Sequence, residues 1–264
     1  MEDQIVPRLA ALAHPQRLAV FRLLMRRYPD RVPAGEIGAT IGARPSTLSA
    51  YLADLAEVGL IDHERRATSL LYRARLEAVE GLVGQLLADC CRGRAGPAEA
   101  PRPGRVRNVL FVCSGNSARS LMAEAILRDL DGTRSEAFSA GTEARGTPDP
   151  RAVAMLAELG HDTAALWSKP ADPYLDPDAP RMDIVLTVCD RAANRDLPAW
   201  PGNPVQGHWG LPDPVAEGTA EGYARTYLTL RARLERLARL PLDLPRPQLQ
   251  RALDDLAAVG PDAE

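Results

Sequence analysis

The 264-residue sequence predicts two different domains joined by a linker. Residues 1–91 have mostly helical spacing of apolar side chains, followed by a hairpin pattern, and this predicts a small α+β domain. From residue 106 onward, short apolar runs alternate with amphipathic segments, which predicts an α/β domain with a central parallel sheet. Residues 92–105 lie between them and are rich in Pro, Gly and Ala. They predict an exposed, semi-stiff linker.

Composition and charge are those of a globular protein, with 45% hydrophobic and 25% charged residues. No apolar run approaches the length of a membrane span, and the N-terminus lacks a signal-peptide core. We therefore expect a cytoplasmic protein with no membrane partner, whose four cysteines serve catalysis or metalloid binding. The first 104 residues carry 14 basic and 12 acidic side chains, against 18 and 23 in the remainder. The front domain is thus the better candidate for a polyanion partner.

The front domain has the pattern of a winged helix-turn-helix. An amphipathic segment at residues 34–41 is stopped by Gly42, and Pro45 opens the next helix, which ends at Gly59. Residues 60–72 then fit a two-stranded hairpin. A final helix is predicted at residues 76–88, with an apolar stripe along one side.

Three front segments resemble the ArsR-type metalloregulators, namely residues 18–24 (Leu-Ala-Val-Phe-Arg-Leu-Leu), 46–52 (Ser-Thr-Leu-Ser-Ala-Tyr-Leu) and 57–61 (Glu-Val-Gly-Leu-Ile). The resemblance implies a homodimer packed through its terminal helices, with a recognition helix in each major groove of operator DNA. The candidate contacts to bases or phosphates are Ser46, Thr47, Ser49, Tyr51, Arg65 and Arg66. The alternative is that the serines cap the helix and the arginines form a solvated face.

An adjacent thiol pair, Cys90 and Cys91, stands at the end of the last predicted helix. Many sensors of the family carry their cysteines in the segment that corresponds to residues 36–40, which here has none. Some relatives instead have a pair near the C-terminal end, so the resemblance implies an arsenite-sensing site at Cys90 and Cys91. Soft thiolates suit this thiophilic ligand. A third sulfur would come from a small thiol or the partner subunit, and we expect no other metal site. Two ordinary helix-end cysteines are the alternative.

The most informative segment of the back domain is an apolar run that ends at Cys113, followed by small residues, Arg119 and a helical pattern. A strand, loop and helix in this order place successive backbone N–H groups around an anion. Arg119 offers a planar fork to two oxygens of a tetrahedral oxyanion. We expect the positive field to lower the pKa of Cys113, which makes the thiol a nucleophile. The predicted oxyanion-binding residues are Ser114, Gly115, Asn116, Ser117, Ala118, Arg119 and Ser120.

This loop resembles the low-molecular-weight protein tyrosine phosphatases and the arsenate reductases built on the same fold. Further matches extend the resemblance to the C-terminus and are closer to the reductases; they are residues 139–142 (Ser-Ala-Gly-Thr), 168–170 (Ser-Lys-Pro), 187–190 (Thr-Val-Cys-Asp) and 208–214 (His-Trp-Gly-Leu-Pro-Asp-Pro). The resemblance implies that Cys113 attacks arsenate and that Asp213 protonates the departing oxygen. In such a reductase a second thiol attacks the Cys113 sulfur, and two electrons pass to arsenic. Cys189 is the candidate for this second thiol.

The chain departs from the thioredoxin-coupled reductases after Cys189. Those relatives have a third cysteine just before a proline, and here Leu197 precedes Pro198. We therefore expect no bound cofactor and an external reductant, either a low-molecular-weight thiol or a redoxin.

Together these features predict an arsenic-responsive repressor fused to an arsenate reductase with weak phosphatase activity. One alternative is a phosphotyrosine phosphatase with a DNA-binding domain. It is disfavoured because residues 215–218 (Val-Ala-Glu-Gly) lack the aromatic side chains that phosphatases place after the acid. The other is a pure regulator whose back domain only binds an oxyanion.

Overall fold

The computed structural model describes residues 5–86, 106–176, 178–195, 200–201 and 204–261. The chain forms two compact units, Met1–Ala98 and Glu99–Glu264, which divide within the predicted linker. The predictions for Cys90, Cys91 and Leu197 concern residues outside the described ranges. None of the helices in those ranges is long and apolar enough to cross a membrane.

The front unit is a winged helix-turn-helix, as predicted. Its elements are α1 (Ile5–Leu12), α2 (Pro15–Arg26), β1 (Val32–Pro33), α3 (Ala34–Ile41), α4 (Pro45–Glu57), β2 (Ile61–Arg66), β3 (Ser69–Ala74) and α5 (Leu76–Gln85). The strands form an antiparallel sheet in the order β1-β3-β2. The predicted two-stranded hairpin therefore has a third strand, which pairs Val32 with Tyr72. Two residues are too short a segment for an alternating pattern to reveal.

Glycine and proline set the boundaries of the helix pair α3–α4. Gly42 follows α3 with a φ of +68°, a left-handed conformation that glycine adopts without steric cost. Pro45 occupies the first turn of α4, where its missing N–H is not needed. The inner face of α4 (Leu48, Leu52 and Leu55) is buried, so its polar face is turned outward.

The back unit is an α/β domain. Its elements are β4 (Arg107–Cys113), α6 (Arg119–Asp131), β5 (Ser135–Gly141), α7 (Pro150–Glu158), β6 (Ile184–Thr187), α8 (Asp190–Ala193), β7 (Val205–His208), α9 (Pro214–Glu217), α10 (Ala220–Arg239) and α11 (Arg246–Leu256). All four strands are parallel, in the order β5-β4-β6-β7, which confirms the predicted sheet. The sequence did not predict β7, which has Gln206 and Gly207 at its centre.

The sheet brings the two cysteines of this unit to one edge. Strands β4 and β6 are neighbours, and Val112 is in register with Thr187. Cys113 is the last residue of β4, and Cys189 follows β6 by two residues. Carboxyl ends of adjacent parallel strands are the usual position of a site in such a sheet.

Candidate active site

The chain segment that follows β5 is hydrogen-bonded to the loop after β4. Four backbone N–H groups donate to loop carbonyls, from Thr142 to Cys113 (3.0 Å), Glu143 to Ser114 (2.8 Å), Arg145 to Gly115 (2.9 Å) and Asp149 to Ser117 (2.8 Å). With these carbonyl groups engaged by residues 142–149, the N–H groups of Asn116 and Ser114 are directed to the sulfur atoms of Cys113 and Cys189. Such an array of N–H groups forms an anion-binding concavity.

Gly141 allows the end of β5 to approach this loop. A Cβ atom at Gly141 would lie 2.8 Å from the Ser114 carbonyl oxygen and 3.0 Å from the Asn116 nitrogen. Any larger side chain would therefore displace the loop backbone. The sequence match at residues 139–142 pointed to this segment, but the contact itself was not predicted.

Cys113 is buried, with 2% of its surface exposed. Its Sγ lies 3.0 Å from Ser120 Oγ and accepts a hydrogen bond from the Asn116 N–H at 3.1 Å. Burial raises the pKa of the Cys113 thiol, and the nearby Cys189 raises it further, whereas Ser120 and the charge of Arg119 lower it. The sequence-based expectation of a lowered pKa is therefore wrong, because the loss of hydration outweighs the favourable contacts.

Arg119 and Asp213 form an ion pair beside the loop. Arg119 Nη2 lies 3.0 Å from Asp213 Oδ2, and Nη1 donates to the Leu211 carbonyl at 2.9 Å. Asp213 also caps α9, because its Oδ1 accepts from the Val215 N–H at 3.1 Å. The arginine side chain is 10% exposed and the aspartate 35%, so the acid is the more accessible partner. This arrangement places a carboxyl group within reach of an oxyanion held by Arg119.

Cys189 stands directly beside the loop. It precedes α8 with extended backbone, and its Sγ accepts from the Ala192 N–H at 3.4 Å and from the Ser114 N–H at 3.3 Å. Like Cys113, it is 2% exposed. The structure thus brings together all four residues predicted to act in catalysis, namely Cys113, Arg119, Cys189 and Asp213. Their individual roles remain predictions.

Asn116 connects the loop to buried polar groups that the sequence did not assign. Its φ is +43°, a left-handed conformation that an ordinary residue adopts only when it is held there. The side-chain Nδ2 donates to Ser120 Oγ at 2.8 Å and to Ser139 Oγ at 2.9 Å, and Oδ1 accepts from the Lys169 N–H at 2.6 Å. Glu124, which contacts Ser139 and Lys169, lies on the buried face of α6. The sequence signal for this group was an acidic residue, Glu124, among the apolar and small side chains of residues 121–127.

In the front unit, the structure places the candidate DNA contacts on two surfaces. Ser46, Thr47 and Ser49 are exposed on α4, and no side chain among the described residues caps this helix, so the capping alternative is wrong. Ser49 Oγ instead donates to the Pro45 carbonyl at 2.9 Å. Tyr51 is half-buried and packs against His14, with ring centroids 5.0 Å apart.

The second surface is the β2–β3 hairpin. Arg65 and Arg66 are both exposed there, next to a turn at Ala67. Arg66 Nε lies 2.5 Å from Glu64 Oε1, so part of its charge is already compensated. Arg65 is thus the less compensated candidate for a phosphate contact.

A buried cysteine at the end of a parallel strand, an anion-binding loop with its arginine and a nearby acid define a class of cysteine-dependent enzymes that act on tetrahedral oxyanions. In this chain the domain follows a winged helix-turn-helix unit. The chain belongs to the low molecular weight phosphotyrosine protein phosphatase family, whose model matches residues 108–251.

Among curated relatives, the arsenate reductase of Halalkalibacterium halodurans is 40% identical over 114 residues, which are 43% of this chain and 78% of that protein. The arsenate reductase of Bacillus subtilis is 38% identical over 114 residues, with the same coverage. A solved arsenate reductase in the phosphate binding state is 28% identical, covers 50% of this chain and 97% of its own, and has a TM-score of 0.42.

For the front unit, a comparison finds the homodimeric winged helix-turn-helix DNA-binding domain Mb0332 from Mycobacterium bovis, described as a possible ArsR-family transcriptional regulator. It is 25% identical, covers 37% of this chain and 89% of that chain, and has a TM-score of 0.28.

Proposed function

We propose that the back unit is a thiol-dependent arsenate reductase and that the front unit is an arsenic-responsive repressor. One observation carries the enzymatic part. A second buried thiol, Cys189, accepts a hydrogen bond from the loop residue Ser114, next to the nucleophile Cys113. Phosphate ester hydrolysis has no use for a second thiol, whereas reduction of arsenate requires an electron pair from one. The relatives named arsenate reductase support the same substrate.

The first step is condensation of Cys113 with arsenate. The loop N–H groups and Arg119 hold the oxyanion, and the sulfur attacks arsenic. A protonated arsenate monoanion and the thiol combine to a thiol–arsenate adduct and water. The Cys113 thiol, whose pKa is raised by burial, loses its proton as the sulfur–arsenic bond forms, and this proton balances the one that leaves with the water. Asp213 delivers a proton to the departing hydroxide, which leaves as water.

The second step is reduction. The Cys189 sulfur attacks the Cys113 sulfur, the sulfur–arsenic bond breaks, and its electron pair remains on arsenic. Arsenic passes from the pentavalent to the trivalent state, the Cys189 proton is taken up by the departing arsenite, and a Cys113–Cys189 disulfide remains. Two external thiols, from a low-molecular-weight thiol or a redoxin, then reduce this disulfide.

The enzymatic proposal is tested by anaerobic turnover of arsenate with alternative thiol donors, beside hydrolysis of an aryl phosphate. We expect arsenite to form in amounts that match the thiol oxidised, and aryl phosphate hydrolysis to be slow. A protein that hydrolyses the aryl phosphate efficiently and forms no arsenite with any donor is a phosphatase, and one that does neither is an oxyanion-binding regulator.

The proposed repressor is a dimer that uses α4 to read operator DNA. Large apolar side chains of the front unit are exposed on its terminal helices, with Val6 and Leu9 on α1 and Val83 on α5. Apolar groups exposed on neighbouring helices are typical of a self-association surface. We expect the polar outer face of α4 to enter a major groove, as the recognition helix does in other proteins of this architecture.

Arsenite is proposed to release the DNA through Cys90 and Cys91. We expect the double change Cys90→Ser with Cys91→Ser to leave operator affinity unchanged and to abolish its loss on addition of arsenite. A tenfold change in affinity corresponds to only about 1.4 kcal/mol of differential binding, which arsenic–sulfur bonds readily supply. An operator titration with and without arsenite measures this.

The matched control for this titration is Cys189→Ser, which removes a thiol of the back unit. This variant should keep the wild-type response to arsenite. If the double variant still dissociates at the wild-type arsenite concentration, the sensor is not the Cys90–Cys91 pair.

A further inference from the structure

The start of α7 is hydrogen-bonded both to the loop after β4 and to the chain that carries the proposed acid. Asp149 precedes α7, and its backbone N–H donates to the Ser117 carbonyl of the loop at 2.8 Å. Its side chain accepts from the Tyr223 hydroxyl at 2.8 Å. Arg151, two residues further on, donates from Nη1 to the Gly218 carbonyl at 2.5 Å. The two proposed reaction steps do not involve these side-chain contacts.

The proposed acid lies in a short segment that ends at these contacts. Asp213 caps the one-turn helix α9, and Gly218 ends this helix in a left-handed conformation, with a φ of +69°. Thr219 then caps α10, and Tyr223 lies near the start of that helix. A displacement of Gly218 or Tyr223 is therefore transmitted to Asp213 through a few residues of continuous backbone.

The hydrogen bond between Tyr223 and Asp149 is buried and directional. Tyr223 has 4% of its surface exposed, and Asp149 Oδ1 is held by the N–H groups of Arg151 and Ala152, both at 3.1 Å. Burial, the hydrogen bond with Asp149 and the charge of Asp213 together raise the pKa of Tyr223 to about 12. The hydroxyl therefore remains a donor at neutral pH. The contribution of Asp213 also indicates that its carboxylate lies near the phenol ring.

The ion pair with Arg119 does not by itself hold the acid during the reaction. We expect the oxyanion to bind the same guanidinium, where it competes with Asp213 for the positive charge. The other hydrogen bond of the carboxylate comes from the Val215 N–H, which belongs to the same segment and moves with it. The contacts from α7 lie at the far end of the segment and involve no group that is proposed to bind the substrate.

We propose that Arg151 and the Tyr223–Asp149 pair are positioning residues for the acid, which hold the segment 211–218 where Asp213 reaches the departing oxygen. The inference rests on the proposed role of Asp213 as the proton donor. It assigns Arg151 and Tyr223 an effect on leaving-group protonation, although neither belongs to the substrate-binding loop.

The test compares two aryl phosphates as substrates of the full chain. Phenolate is a poor leaving group that needs a proton, whereas dinitrophenolate leaves without one. The variants are Tyr223→Phe, Arg151→Met and the double change, each measured as kcat/KM. We expect the double variant to lose about tenfold with phenyl phosphate, a part of the 10²–10⁴-fold that a proton donor contributes, and less than about twofold with dinitrophenyl phosphate. Arsenate turnover with a fixed thiol donor should fall in parallel with phenyl phosphate, because hydroxide is also a poor leaving group.

The comparison variant Asp213→Asn removes the acid itself. If Arg151 and Tyr223 act through Asp213, the double change causes no further loss with phenyl phosphate in the Asp213→Asn background. The matched control is Tyr227→Phe, one turn further along α10, which removes another buried hydroxyl. That hydroxyl lies 2.8 Å from His161 Nε2 and not on Asp149. We expect this control to keep wild-type kcat/KM with both substrates.

Two further measurements separate positioning from a loss of structure. Thermal unfolding with and without phosphate shows whether each variant folds and whether its loop still binds an oxyanion. Arg151→Lys is the conservative variant, since a lysine ammonium can also donate to the Gly218 carbonyl. It should recover part of the activity that Arg151→Met loses with phenyl phosphate.

Three results would overturn the proposal in a folded double variant. They are wild-type kcat/KM with both aryl phosphates, equal losses with both, or a further loss with phenyl phosphate in the Asp213→Asn background. The aryl phosphate comparison needs no arsenate, so failure of the reductase assignment would leave it intact. Failure of the positioning role would leave the arsenate turnover of the wild-type protein unchanged.

Discussion

Cys113→Ser is expected to lower both arsenate turnover and aryl phosphate hydrolysis by at least about 10³-fold, because loss of the nucleophile costs that much or more in comparable enzymes. A serine hydroxyl does not ionise near neutral pH, and the loop partners that the structure describes at this position are Ser120, Asn116 and Arg119. The measurement is steady-state turnover of both substrates.

The same variant should still bind the oxyanion. Serine is nearly isosteric with the buried cysteine, and the loop backbone is held by hydrogen bonds to residues 142–149 that do not involve the side chain. Stabilisation of the variant by arsenate or phosphate in thermal unfolding checks this. A folded Cys113→Ser protein that retained more than a few per cent of either activity would show that another group is the nucleophile.

Cys189→Ser is expected to separate the two activities. Arsenate turnover should fall by about 10²-fold or more, because no thiol remains beside the Cys113 adduct to attack its sulfur and so reduce arsenic by two electrons. Aryl phosphate hydrolysis should stay within about threefold of wild type, since it needs only Cys113, Arg119 and Asp213. A serine hydroxyl can still accept from the Ser114 N–H, so the loop contact is preserved.

Other results for the Cys189→Ser variant would assign a different role to this cysteine. Equal loss of both activities would assign Cys189 a structural role at the start of α8. Unchanged arsenate turnover would mean that an external thiol attacks the Cys113 adduct directly. Mass spectrometry after one equivalent of arsenate without reductant provides an independent check, because the proposed route leaves a Cys113–Cys189 disulfide in the wild-type protein and none in the variant.

Much of the fold could be predicted because its signals are local. The helix α3 has its predicted bounds at Ala34–Ile41, and α4 begins at Pro45, since glycine and proline act on their own backbone. Two short strands, β1 and β7, were not predicted from the sequence. The strand β1 has two residues and β7 has Gln206 and Gly207 at its centre, so each forms only because a neighbouring strand offers its hydrogen bonds.

The sequence by itself determined the strand, loop and helix that carry Cys113 and Arg119, because an apolar run, small residues and helical spacing follow one another along the chain. It also marked Cys189 and Asp213 as candidates, by their place in recognisable segments. Only the tertiary structure decided that Asp213 pairs with Arg119, that Cys189 contacts the loop, and that Glu124 and Lys169 are buried next to it. It also reversed the expected pKa shift of Cys113. Contacts between distant segments and the loss of hydration are products of packing, and no local pattern contains them.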